Sequence, residues 1–256
     1  MVVNNGYLNV TLVMPLILFL GAGCTDSGTG ELPAPVEEVR PGILKGYLER
    51  DEQLDSLGLL PVPPADNSGA FRRDAAFSAA SLELRDTPAW KQAALDADLH
   101  MPAAIENFVA ALDVEVSEAE TPFTYQLLRR AMADAGLSTY GAKNEYQRAR
   151  PFTVNGQPTC TPDDEEMLRN DGSYPSGHTA LGWAWALILA ELLPEDADAI
   201  IKRGYNYGQS RVICNVHWQS DVDAGRIIGS ATVARLHADE DFLYDLAMAR
   251  KEMARQ

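Results

Sequence analysis

From Ala180 to Leu193 the chain is apolar at every position except Gly182 and Glu191, and Pro194 closes the run. A stretch that is apolar on all sides has to be buried on all sides. It is too short to cross a bilayer, which takes about 20 apolar residues, so it predicts a helix at the centre of a domain with other helices packed around it. The flanking sequence carries helix punctuation. Thr87-Pro88 and Thr121-Pro122 each place a capping hydroxyl before a proline at the first helical position, where the missing N–H costs nothing. After the second pair, Phe123, Leu127, Leu128 and Met132 form an apolar stripe, and Gly136 offers a left-handed stop. Gly225 and Gly229, one turn apart beside Ala224 and Ile228, would let another helix approach closely. Few segments alternate at period two. The expectation is an all-α fold, a single helical-bundle domain with a buried central helix.

The 256 residues suit one large domain better than two small ones. With 21 Lys and Arg against 37 Asp and Glu, the net charge of -16 argues against binding to nucleic acid or to anionic membranes. Any anion site must be a local basic exception. Residues 1–23 carry no charged side chain, and their run from Val10 to Leu20 is apolar apart from Thr11 and Pro15. That run, followed by Leu20-Gly21-Ala22-Gly23-Cys24, reads as a secretory signal with small residues at its cleavage site. It resembles a bacterial lipoprotein signal, with Cys24 as the lipidated first residue of the mature chain; an ordinary cleaved signal is the alternative. Both imply the periplasm or cell envelope, with contact to the membrane only through an N-terminal lipid. Residues 24–42, rich in Gly, Ser, Thr, Pro and Glu, read as a flexible tether, and 43–256 as the folded domain. Pro61-Val62-Pro63-Pro64 should run as an extended loop. In an oxidising compartment Cys160 and Cys214 could form a disulfide, with two buried free thiols as the alternative.

Three clusters gather the polar residues that look out of place in a helical core. Lys143 is followed after six residues by Arg150-Pro151, the stretch Gly172 to Thr179 reads GSYPSGHT, and Ser210-Arg211 is followed after five residues by His217 and after three more by Asp221. Phosphoryl transfer spreads negative charge over oxygens, so its site needs fixed cations and N–H donors. Lys143, Arg150 and Arg211 are candidate cations, the arginines as bidentate forks and the lysine as a point charge. Ser176 and Gly177 precede the apolar helix, so their backbone N–H groups can sit at a helix N-terminus, and the Ser176 hydroxyl can add a donor. His217 and Asp221 at i and i+4 would share a face if the segment is helical.

The order and spacing of these clusters resemble the three-part motif of the type 2 phosphatidic acid phosphatase (PAP2) superfamily, and the octet is similar to that of the class A bacterial non-specific acid phosphatases. The resemblance implies a PAP2-like helical fold and metal-free hydrolysis of phosphate monoesters through a phosphohistidine, with no cofactor. It makes His217 the nucleophile, Asp221 its orienter and His178 the acid, with Lys143, Arg150, Ser176, Gly177 and Arg211 holding phosphate. A bell-shaped pH profile on the acid side of neutrality follows from a charged His178 and a neutral His217. The partners it implies are small phosphomonoesters, and it leans to a homodimer. Two other readings are a vanadium-dependent haloperoxidase, which uses a similar oxyanion cradle, and a lipoprotein that binds an oxyanion without turning it over.

Overall fold

The computed structural model of the chain describes residues 1–2 and 31–254, so the apolar run from Val10 to Leu20 and Cys24 lie outside the described residues. The chain divides into two units, Met1–Glu31 and Leu32–Gln256, and the fold is that of the second. At its start, β1 (Glu38–Arg40) and β2 (Ile43–Leu44) pair antiparallel, so the last part of the stretch read as tether is in a small hairpin.

Helices make up the rest of the regular structure among the described residues. The first group is α1 (Ser56–Leu59), α2 (Gly69–Leu82), α3 (Pro88–Leu95) and α4 (Ala103–Val109). The motifs and the core follow, on α5 (Pro122–Leu137), α6 (Tyr140–Tyr146), α7 (Pro151–Asn155), α8 (Glu165–Arg169), α9 (Gly177–Leu192), α10 (Ala197–Ile213), α11 (Gln219–Leu236) and α12 (Glu240–Met253). None is long and apolar enough to cross a membrane.

The apolar run forms most of α9 and ends on its C-cap, Leu193; the helix packs against α5, α10 and α11 and buries Trp185, Ile188 and Leu189 completely. A side chain at Gly225 would run into the Ser176 carbonyl and Thr179, and one at Gly229 into the Ala180 carbonyl, so these glycines allow α11 to lie close on α9. Both Thr-Pro pairs begin helices. Thr87 caps α3 through its hydroxyl, but Thr121 makes no such bond. There the Glu252 carboxylate, from α12, accepts the N–H groups of Phe123 and Thr124 instead, so the cap comes from a residue remote in sequence. Gly136 is not the terminator. It lies within α5, and the helix ends at Ser138 in a right-handed conformation, because the chain continues almost directly into α6.

Candidate active site

The three clusters converge where α6, the start of α9, the end of α10 and the start of α11 meet. Lys143 sits on α6, which ends at Gln147 in a left-handed conformation. The chain then runs through Arg148 and Arg150 before Pro151 starts α7. This segment is stitched to the one that follows α10: the Asn215 carbonyl accepts the Phe152 N–H, the Cys214 carbonyl accepts the Cys160 N–H, and Cys160 and Cys214 are joined by a disulfide. Arg150 and His217 thereby face one another, with Arg150 Nη1 3.1 Å from His217 Nε2 and 3.1 Å from the Val216 carbonyl oxygen.

His217 is not on a helix face with Asp221. It precedes α11, and Asp221 lies in that helix's first turn, where its Oδ2 accepts the Trp218 N–H at 2.8 Å. The imidazole Nδ1 stands 3.4 Å from the same oxygen, so the pair is made across the helix start. Ser173 and Arg148 also donate to this carboxylate. Arg148 extends the network to Asp74 on α2, which accepts from Arg148 Nη2 at 2.8 Å and from the Ser220 N–H at 3.0 Å. Burial lifts Asp221 to about 6 against the pull of Arg148. Burial and the charges of Arg150 and Lys143 push His217 well below its ordinary value, which keeps the ring neutral.

The candidate cations differ in what they already hold. Lys143 donates to Asp171 and to the Gly172 carbonyl, and Arg150 donates Nη2 to Asp171 at 2.8 Å and Nε to the carbonyls of Leu168 and Asp171. Asp171, about a third exposed, therefore bridges two of the cations with one carboxylate. Burial and Arg150 bring Lys143 down to about 8. Arg211 is as deeply buried, yet its Nε and Nη1 meet no partner. Burial brings it down to about 10, the direction expected of a cation without enough compensation.

At the start of α9, Ser176 is the N-cap, and its hydroxyl accepts from Thr179. Its backbone N–H does not point to an anion; the Asp221 carbonyl takes it at 3.0 Å. The donors at this end are instead the N–H groups of Gly177 and His178 in the first turn, which an α-helix leaves without internal partners. Gly177 adjoins Lys143, whose Cε would lie 3.9 Å from a side chain placed there. His178 sets its Nε2 3.0 Å from the Ala97 carbonyl oxygen, and burial with the Arg211 charge moves it well below its ordinary value. Lys143, Arg150, Arg211, His178, His217 and Asp221 are thus brought to one place, with Gly177 beside them and Ser176 as cap. Sequence reasoning missed Asp171, Asp74 and the pairing of Arg148. Arg148 stands between Lys143 and Arg150 in sequence, but nothing local marks it as the residue that holds Asp221.

A helical bundle with three buried cations and two histidines gathered around the start of its central helix defines a class, and residues 127–242 match the PAP2 superfamily. The chain belongs to that superfamily and, within it, to the class A non-specific acid phosphatases. It is 47% identical over 210 residues to the non-specific acid phosphatase of Providencia stuartii, covering 82% of this chain and 85% of that protein. It is 41% identical over 204 residues to that of Salmonella typhimurium, covering 79% of this chain and 82% of that protein. A bacterial vanadium-dependent iodoperoxidase has the same fold, with a TM-score of 0.51 at 17% identity over 80% of this chain; the match spans only 62% of the iodoperoxidase.

Proposed function

We propose that the protein hydrolyses phosphate monoesters through a phosphohistidine on His217, with Lys143, Arg150 and Arg211 supplying the positive charge that other phosphatases take from metals. The observation that carries the reading is Arg211, a buried guanidinium with two unpartnered nitrogens in the same cluster as a neutral imidazole whose Nδ1 stands 3.4 Å from a carboxylate oxygen. A buried cation with unused donors is costly unless an anion completes it. The substrate phosphate takes that place and displaces Asp171 from Lys143 and Arg150.

With Asp221 Oδ2 facing Nδ1 at 3.4 Å, the ring proton belongs on Nδ1 and the lone pair on Nε2, which attacks phosphorus while the phosphorus–oxygen bond to the leaving group breaks. His178 gives its proton to the departing alkoxide. The imidazole becomes cationic as the N–P bond forms, and Asp221 stabilises that charge. Neutral His178 then takes a proton from water, the resulting oxygen attacks phosphorus, the N–P bond breaks and phosphate leaves. The expected range is broad, including nucleotides and sugar phosphates, because the cradle addresses the phosphate and not the leaving group. In an assay with a chromogenic aryl phosphate at pH 5 to 6, excess chelator should leave turnover unchanged; a loss restored by a divalent cation would overturn the metal-free reading.

The pKa directions fix a second expectation. As pH falls, the His217–Asp221 pair takes up a proton and the nucleophile is lost, which sets the acid limb. As pH rises, His178 loses its proton, which sets the alkaline limb. Without phosphate, Arg211, Arg150 and Lys143 all press His178 towards neutrality. A bound dianion reverses that field, so the alkaline limb of kcat should lie above that of kcat/KM. Coincident alkaline limbs would argue against His178 as the acid.

The same reading puts the enzyme in the periplasm or cell envelope, supported by the apolar run from Val10 to Leu20 and by the Cys160–Cys214 bridge. Lipidation is assigned to Cys24. Labelled fatty acid should mark the wild-type chain and not Cys24→Ser; equal labelling of both would refute the assignment.

A further inference from the structure

His178 is held by a part of the chain that none of the three motifs contains. The Ala97 carbonyl 3.0 Å from Nε2 can only accept, so Nε2 carries hydrogen and Nδ1 is left as the atom that exchanges the acid proton. Ala97 follows α3, where the chain has turned out of the helix. Such a turn is ordinarily loose, but its neighbour Asp96 is buried. The Asp96 carboxylate accepts from Arg203 Nη1 at 3.2 Å, from Arg203 Nη2 at 2.6 Å and from the Ser210 hydroxyl at 2.5 Å. Arg203 spends its other donors on the carbonyls of Phe108 and Asn107, at 3.0 and 3.1 Å.

Two neighbouring arginines of α10 are therefore used in opposite ways. Arg211 keeps open donors, whereas every nitrogen of the Arg203 fork has a partner, between the end of α3 and the end of α4. Ser210, the residue before Arg211 in the third motif, gives its hydroxyl to Asp96. A buried ion pair is rarely the cheapest way to hold two helices together, since apolar residues of similar volume do so as well. What it adds is a fixed position for the segment that bears it.

We propose that Asp96, Arg203 and Ser210 act as a positioning clamp that holds the Ala97 carbonyl on His178 and so sets the ring nitrogen from which the leaving group is protonated. The proposal rests on the reading of His178 as the acid. It assigns Ser210 to aligning the acid and not to phosphate.

The test compares kcat/KM for two substrates, glycerol phosphate, whose alkoxide must be protonated, and 2,4-dinitrophenyl phosphate, whose leaving group needs no proton. Asp96→Asn should lower the first by about 10- to 100-fold and the second by less than about threefold. Ser210→Ala, which removes the hydroxyl bond to Asp96 and keeps the ion pair, should show the same split at about three- to tenfold. If Asp96→Asn fails to fold because Arg203 is left unpaired, Ser210→Ala decides. Equal losses on both substrates would mean that the cluster serves only the fold, and would overturn the proposal. His178→Ala separates the two levels. A split in His178→Ala without one in the clamp variants would remove the clamp alone, and no split in His178→Ala would remove both clamp and acid.

Discussion

Replacing His217 by alanine is expected to lower kcat for aryl phosphates by about four orders of magnitude or more, because no other neutral base in the cradle can form the bond to phosphorus. Lys143 is protonated at working pH even after its fall to about 8, and the arginines have no lone pair to offer. His178 is held through Nε2 by the Ala97 carbonyl, and the proposed mechanism uses it for proton transfer. The chemistry gives a second readout. Wild-type protein quenched during turnover of a labelled phosphomonoester should carry phosphate that survives base and is released by acid, as a nitrogen–phosphorus bond requires. The His217→Ala variant should carry none. Undiminished label in the variant would move the nucleophile elsewhere.

Arg211→Gln should separate activity from stability. Arg211 is buried and its charge is poorly compensated while the cradle is empty, so its removal lifts a strain on the folded state. The melting temperature without phosphate should rise, by roughly two to four degrees for each kcal/mol gained in a domain of this size. In the proposed mechanism the same change removes a fork directed at the developing charge, and kcat/KM should fall by about 10³-fold, the scale on which a phosphate-directed arginine contributes to transfer. Added inorganic phosphate should raise the wild-type melting temperature and leave that of the variant nearly unmoved, because a ligand stabilises only the state that binds it. A variant that is both less stable and fully active would show that Arg211 is a packing residue.

Much of the candidate site was legible in one dimension. The three clusters name the cations and both histidines, and the apolar run with its Ser-Gly start names the helix whose end they surround. Other features were hidden by their sequence distance. Asp74, Asp96 and Asp171 are single carboxylates in polar or weakly patterned stretches, and such residues are usually solvated. Each has a role only through Arg148, Arg203 with Ser210, or Lys143 with Arg150. The spacing of His217 and Asp221 suggested one helix face, but Trp218 lies between them as the helix boundary, so the contact is made across a helix start. Thr121 was legible as a start, whereas its true cap, Glu252, comes from the last helix.

The sequence by itself determined the helical class and the residue types of the cradle, because apolar periodicity, Thr-Pro starts and short motif spacings are local properties. Tertiary structure alone decided which charge is spent and which is free. Arg148, Arg150, Arg203 and Arg211 are chemically identical, and only packing gives Arg148 and Arg203 buried carboxylates, gives Arg150 a partly exposed one, and leaves Arg211 with open donors. A buried charge is satisfied by whatever the fold brings within hydrogen-bonding reach, and that depends on contacts between segments far apart in the chain.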